Sequence, residues 1–163
     1  MNKRKSQIST LNENHPKVIT QAEYVFIISI VLGFIINFFL PLRGIPKIIH
    51  IPLGVVFIIA GIRVLALSID RFQKAKTSVS PFKPVKSLVM KGPYKRSRHP
   101  MYFGRVLLQM GIGFIFGNIW IVVLVIPTIL IIWYGVIIPE EKYLQQRFGN
   151  KYLTYKKSTR CWI

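Results

Sequence analysis

Residues 22–40 read AEYVFIISIVLGFIINFFL. Nineteen residues with one charge, Glu23, make a helix about 28 Å long, close to the hydrocarbon thickness of a bilayer. The stretch is too long for the apolar core of a signal peptide. No small-residue cleavage pattern follows it. It reads as a retained membrane span, and that reading organises the remainder of the 163 residues.

Outward from it, Pro41-Leu-Arg-Gly-Ile-Pro46 is a turn. A second apolar stretch runs over 48–69, interrupted by His50, Pro52 and Arg63. Residues 70–98 are basic and carry Pro81, Pro84 and Pro93. Two further apolar stretches, 101–118 and 119–138, abut at Gly117-Asn118. They predict a tight helical hairpin whose second arm Pro127 kinks. From Pro139 the chain is polar and amphipathic. The expected fold is an all-α integral membrane protein of about four transmembrane helices with an amphipathic tail and no Rossmann domain. Its expected organisation is a basic tail over 1–21, two spans within 22–69, and a third region over 70–163.

The formal net charge of +18, from 23 Lys+Arg against 5 Asp+Glu, would by itself suggest nucleic acid. The distribution of the charge says otherwise. Four basic residues lie in the N-terminal tail, nine in 70–98 and six after Pro139, against two in 41–47. Nineteen positive charges on one face against two place that face in the cytoplasm by the positive-inside rule. Both termini are therefore expected in the cytoplasm, in a multi-pass protein of the cell inner membrane. The basic face suits anionic lipid, not nucleic acid. A single cysteine excludes a disulfide framework, and no metal-ligand spacing is present.

The five acidic residues, Glu13, Glu23, Asp70, Glu140 and Glu141, stand out against this field. Pro139-Glu140-Glu141 has the pattern of a helix start, with carboxylates complementing the N-terminal dipole. It also has the chemistry to bind a cation. At the other end of the predicted hairpin, Pro100 is placed to begin a helix, which puts Arg98 and His99 where positive charge is disfavoured. An anionic group at that point resolves the conflict. Tyr143, Phe148, Tyr152 and Tyr155 form an aromatic run suited to an interface. Gly113 and Gly117, with Gly111, suit close helix packing. His15 and His50 have no evident partner in the sequence and read as structural.

The stretch Leu88-Val-Met-Lys-Gly-Pro-Tyr-Lys-Arg-Ser-Arg-His-Pro-Met-Tyr-Phe-Gly104 resembles the LVxxGPYxxxRHPxYxG signature of the isoprenylcysteine carboxyl methyltransferase family. Residues 140–155, EEKYLQQRFGNKYLTY, resemble its EExxLxxxFGxxYxxY tail. The likeness covers about residues 70–162 and is similar in order to the small bacterial members. It implies a membrane methyltransferase that uses S-adenosylmethionine and acts on a lipophilic or lipid-linked small substrate, a carboxylate being one acceptor class. By resemblance, Leu88, Val89, Tyr94, Arg98, His99, Pro100 and Tyr102 line the cofactor pocket, and Glu140 and Glu141 meet its cationic part. No catalytic base follows from the resemblance. Eukaryotic members carry an arginine that holds the substrate carboxylate near the position of Val136, where this chain is apolar, so the resemblance leaves a prenylcysteine acceptor open. A nicotinamide-dependent membrane reductase of the sterol reductase type and a non-enzymatic membrane protein are the competing readings.

Overall fold

A computed structural model describes residues 22–42, 46–77 and 87–162. The expected 1–21 tail and most of the proline-rich part of the basic segment lie outside the described residues. Those described are helical: α1 (Ala22–Phe39), α2 (Lys47–Lys74), a 3-10 turn (Gly92–Lys95), α3 (Pro100–Ile115), α4 (Ile119–Val123), α5 (Val125–Ile132), a π turn (Trp133–Ile137), α6 (Ile138–Phe148) and α7 (Asn150–Ser158). There is no strand among them, and the all-α membrane fold stands. Three helical segments are long and apolar enough to cross a membrane: Ala22–Phe39, Ile48–Lys74 and Ile119–Phe148. α3, at 16 residues, is a shorter fourth apolar helix packed along α2.

α2 runs past the predicted boundary at Ile69 to Lys74. Asp70 and Lys74 are paired at 2.9 Å, one turn apart, and Arg71 and Lys74 complement the negative end of the helix. α2 and α3 pack through glycines at seven-residue spacing. A Cβ on Gly61 would lie 2.9 Å from the Gly104 carbonyl, and one on Gly54 would lie 2.9 Å from the Gly111 carbonyl. Lipid offers no hydrophobic drive for helix association, so backbone approach of this kind replaces it. Of the predicted glycine set, Gly111 belongs to this seam, whereas a Cβ on Gly113 would meet Val122 and Ile121 of the next helix.

Gly117 has another role. Its φ of +59° ends α3, with Asn118 N–H donating to Gly113 O at 2.8 Å and Gly117 N–H to Phe114 O at 2.9 Å. Asn118 then caps α4, its side-chain oxygen accepting from the Trp120 and Ile121 amides. Its amide nitrogen donates to Gly33 O of α1 at 3.1 Å. The predicted hairpin turn falls at this point. His50 is bonded through Nδ1 to Phe114 O at 2.7 Å and ties the start of α2 to the end of α3. Its structural reading holds.

The second arm differs from expectation at Pro139. An α-helical segment, α6, does begin at Ile138 with Pro139 and both glutamates in its first turn, but it follows the π turn without a break. Residues 119–148 form one rod of 30 residues, and the backbone stays helical through Ile137 and Ile138. A proline inside a helix lacks the donor and crowds the carbonyl four residues back. The π turn at 133–137 is the kind of local widening that accommodates it. Glu140 and Glu141 therefore project from the continuous rod, one turn past its apolar part.

The core joins α1 to this rod through Phe26, Val106, Val125, Ile132 and Val136. Within it, Ser29 Oγ accepts from Gln109 Nε2 at 2.9 Å and lies 2.8 Å from the Thr128 hydroxyl. Three helices thus share one buried polar node. Outward-facing apolar residues such as Ile28 (64% exposed) and Phe38 (81%) are left to the bilayer.

Candidate functional site

Antiparallel packing of α3 against the rod returns the 98–102 segment and the glutamate pair to the same end of the bundle. Arg98 lies just before α3. Its Nε donates to Glu141 Oε1 at 2.7 Å, and its Nη1 donates to the carbonyls of Lys156, at 3.1 Å, and Thr159. Lys156 Nζ reaches the other Glu141 oxygen at 2.7 Å, and His99 Nε2 stands 3.4 Å from Oε1. Glu141 is thus enclosed by two cations and an imidazole. The anion expected beside Arg98 and His99 at the start of α3 is present, and it is the protein's own carboxylate.

Burial works against the Arg98 charge, but the Glu141 carboxylate bonded to it holds the guanidinium above its ordinary value.

Glu140 is placed differently. Its Oε2 accepts from the Tyr102 hydroxyl at 2.8 Å and lies 3.8 Å from His99 Nδ1, and its side chain is 30% exposed. The Tyr102 ring stacks on His99 with centroids 5.7 Å apart and an interplanar angle of 20°. Arg105, one turn further along α3, sits 5.6 Å from the Tyr102 centroid and donates to Glu23 at the start of α1. The cluster therefore carries one internally neutralised carboxylate and one partly open one, beside two stacked rings.

The C-terminal segment closes this end. Arg98 N–H donates to Arg160 O at 2.9 Å, and Ser97 Oγ donates to Cys161 O at 3.1 Å. Ser97 is fully buried, and its Oγ accepts from the His99 amide. Trp162 stacks on Trp133 of the π turn at 6.4 Å. The Tyr155 hydroxyl donates to Tyr94 O at 2.6 Å. Burial pushes the phenols of Tyr94, Tyr152 and Tyr155 well up, aided at Tyr94 by Glu140 and at Tyr152 by Glu141. Tyr152 is buried, and its hydroxyl has no hydrogen-bond partner among the described residues.

Of the predicted pocket residues, Arg98, His99, Tyr102, Glu140 and Glu141 meet in this cluster. Pro100 is buried beneath it as the first residue of α3. Tyr94 packs edge-on against Phe72 and serves the tail through its carbonyl. Leu88 and Val89 are half-buried in the extended stretch before the 3-10 turn. The aromatic run faces inward at Tyr143, Tyr152 and Tyr155, with Gly149 at φ +51° turning α6 into α7.

A chain of 163 residues with few acids gave a partial signal for the rest of the cluster. Glu23 and Arg105 were visible as isolated charges in apolar stretches, but nothing in their spacing paired them. Lys156 was indistinguishable from the other tail lysines. His99, Glu141 and Cys161 also bring nitrogen, oxygen and sulfur atoms within 4.8 Å of one another, a grouping no local spacing announces. Two cations already face that carboxylate, which opposes a metal dication there.

The family model for phospholipid methyltransferases matches residues 49–151, well over half of the chain. The chain belongs to the phospholipid methyltransferase family. No curated protein and no solved structure matches it. The match contains both halves of the cluster, from Arg98 to Glu141, and leaves out α1 and the closing segment after α7 begins. Membership makes this a multi-pass membrane methyltransferase and disfavours the reductase reading.

Proposed function

We propose that the protein uses S-adenosylmethionine to methylate a lipophilic or lipid-linked small substrate at the cytoplasmic face of the membrane. The observation that carries this is the convergence of Arg98, His99 and Tyr102 with Glu140 and Glu141 at one end of the bundle, across a hairpin. The isoprenylcysteine-type motifs assign the same residues to the cofactor.

The donor set fits such a cofactor. Its ammonium and sulfonium need a carboxylate, and Glu140 is the partly exposed one. Its carboxylate needs a basic environment, which Arg98 and Lys156 provide. Its adenine ring suits flat aromatic neighbours, and the Tyr152 hydroxyl, without a hydrogen-bond partner among the described residues, is a buried donor at this end. The roles then divide. Glu140 is the cation-binding carboxylate, oriented by the Tyr102 hydroxyl. Glu141 is a positioning residue that fixes Arg98 and, through it, the closing segment. Pro100 and Tyr94 shape the floor and the tail contact, while Leu88 and Val89 supply apolar lining.

S-adenosylmethionine supplies a methyl group on a positively charged sulfur, a leaving group that needs no acid. The chain is left to orient the acceptor in line with that methyl and to exclude water. The C-terminal segment, bonded over Ser97 and Arg98, serves the exclusion. A carboxylate acceptor would need no general base, and no residue is assigned one.

The test is transfer of labelled methyl from S-adenosylmethionine to a total membrane-lipid extract by the purified protein in detergent. A labelled lipophilic product supports the reading. Transfer to none of the extract, with S-adenosylhomocysteine also failing to bind, would favour the non-enzymatic alternative.

A further inference from the structure

A guanidinium inside an apolar helix is costly in a membrane and marks a site by default. Arg105 is such a group: its side chain is 19% exposed, in α3, while its partner Glu23 is 50% exposed. The contact joins one nitrogen, Nη2, to one oxygen, Oε1. A guanidinium is a fork built to hold a carboxylate or phosphate through two bonds. The pair therefore uses a half-buried fork-shaped group in a one-pronged, rim-exposed way, which is worth little to stability. Among the described residues, Glu23 is the carboxylate paired with Arg105.

The location adds a second observation. Arg105 lies over one side of the Tyr102 ring, whose hydroxyl holds Glu140 and whose ring stacks on His99. An anion on Arg105 would stand next to the carboxylate that binds the methyl donor. Its apolar chain would run along the exposed face of α1, past Tyr24, Ile27 and Ile28. Glu23 itself lies outside the family-matched residues.

We propose that Arg105 anchors the anionic headgroup, a carboxylate or phosphate, of the methyl acceptor, and that Glu23 occupies this anchor as an internal stand-in which the acceptor displaces. The inference rests on the methyltransferase reading. It assigns a specificity residue and a competing carboxylate that the pocket motifs do not contain.

The experiment measures the affinity of dodecyl phosphate and dodecanoate for the full chain in a neutral detergent, with dodecanol as the uncharged control. Glu23→Gln removes the competitor and is expected to tighten both anions by about two- to fivefold, the range over which exposed ion pairs compete. Arg105→Gln is expected to abolish the preference for the anions over dodecanol, and Glu23→Gln/Arg105→Gln to lose the gain. Weakening of anion binding in Glu23→Gln, or an unchanged affinity, would overturn the proposal and leave a structural ion pair. If Arg105→Gln does not fold, the sign of the Glu23→Gln effect still decides.

Saturating S-adenosylhomocysteine separates an acceptor site from a resident anionic lipid. Neighbouring sites on one ring are coupled, so the dodecyl phosphate affinity is expected to change by about twofold or more. Indifference to bound S-adenosylhomocysteine would make it a lipid site and overturn the acceptor assignment. Failure of S-adenosylhomocysteine to bind at all would instead count against the methyltransferase reading, with the Glu23→Gln comparison still readable.

Discussion

Arg98 connects three separate pieces of chain with one side chain: the start of α3, Glu141 on the rod, and the carbonyls of Lys156 and Thr159. Arg98 and Glu141 are nearly enclosed, at 11% and 12% exposure. Arg98→Ala would leave Glu141 to Lys156 and His99 and free the Lys156 and Thr159 carbonyls that hold the tail, costing about 1–3 kcal/mol. A lowered melting temperature in detergent, with faster proteolysis after Ser158, would show it. Arg98→Lys keeps the charge but not the fork, and should recover only part of the loss. At Cys161, burial and the Glu141 carboxylate push the thiol up. Alkylation by iodoacetamide at neutral pH should therefore lag that of an unhindered thiol. Both motifs could be read from the sequence, as could the need for an anion beside Arg98. That Glu141 supplies it could not, because two residues 43 apart meet only through helix packing.

At the scale of elements, α2 and α3 meet backbone to backbone at Gly61 and Gly104. Gly61→Leu would force the helices apart and is expected to destabilise by about 1–3 kcal/mol. A melting curve in detergent checks it, with Gly149→Ala, where a Cβ meets nothing within 4 Å but the φ is +51°, as a contrast whose cost is backbone strain and not helix separation. α7 and the closing segment rest on the buried phenols of Tyr94, Tyr152 and Tyr155. Their folded values are raised above the ordinary 10.0, so the stability they contribute is complete below pH 10 and is lost as the pH rises beyond it. The tail should loosen first as the pH is raised from about 9 to about 11, read by proteolysis after Gly149. Apolar run length and the Gly117-Asn118 turn disclosed the helical hairpin in advance. The continuous rod was hidden, because Pro139 followed by two glutamates has the local pattern of a helix start, and only the π turn reconciles that proline with an unbroken helix.

Over the whole molecule, the charge separates faces, and the few acids mark positions within them. Glu23, Glu140 and Glu141 all sit at the end of the bundle that carries Arg98, Arg105 and Lys156. The +18 net charge suits attraction to an anionic lipid surface; within it Glu23 and Glu141 are paired with Arg105, Arg98 and Lys156, and Glu140 is the partly open carboxylate. The orientation read from the basic segments predicts that a membrane-impermeant maleimide labels a Lys91→Cys variant only after the cells are opened. Labelling of intact cells would reverse the assigned face. Glu140 is the residue proposed to hold the methyl donor at this end of the bundle. The most direct test of that role is the affinity of S-adenosylhomocysteine for the purified full chain, compared with Glu140→Gln. The analogue lacks the sulfonium but keeps the ammonium, and a charge-assisted bond to a carboxylate is worth about tenfold or more in affinity. Binding by the native chain is expected, with a loss of about that size in Glu140→Gln and the melting temperature of the free protein little changed. Equal affinity in the two proteins would contradict that role.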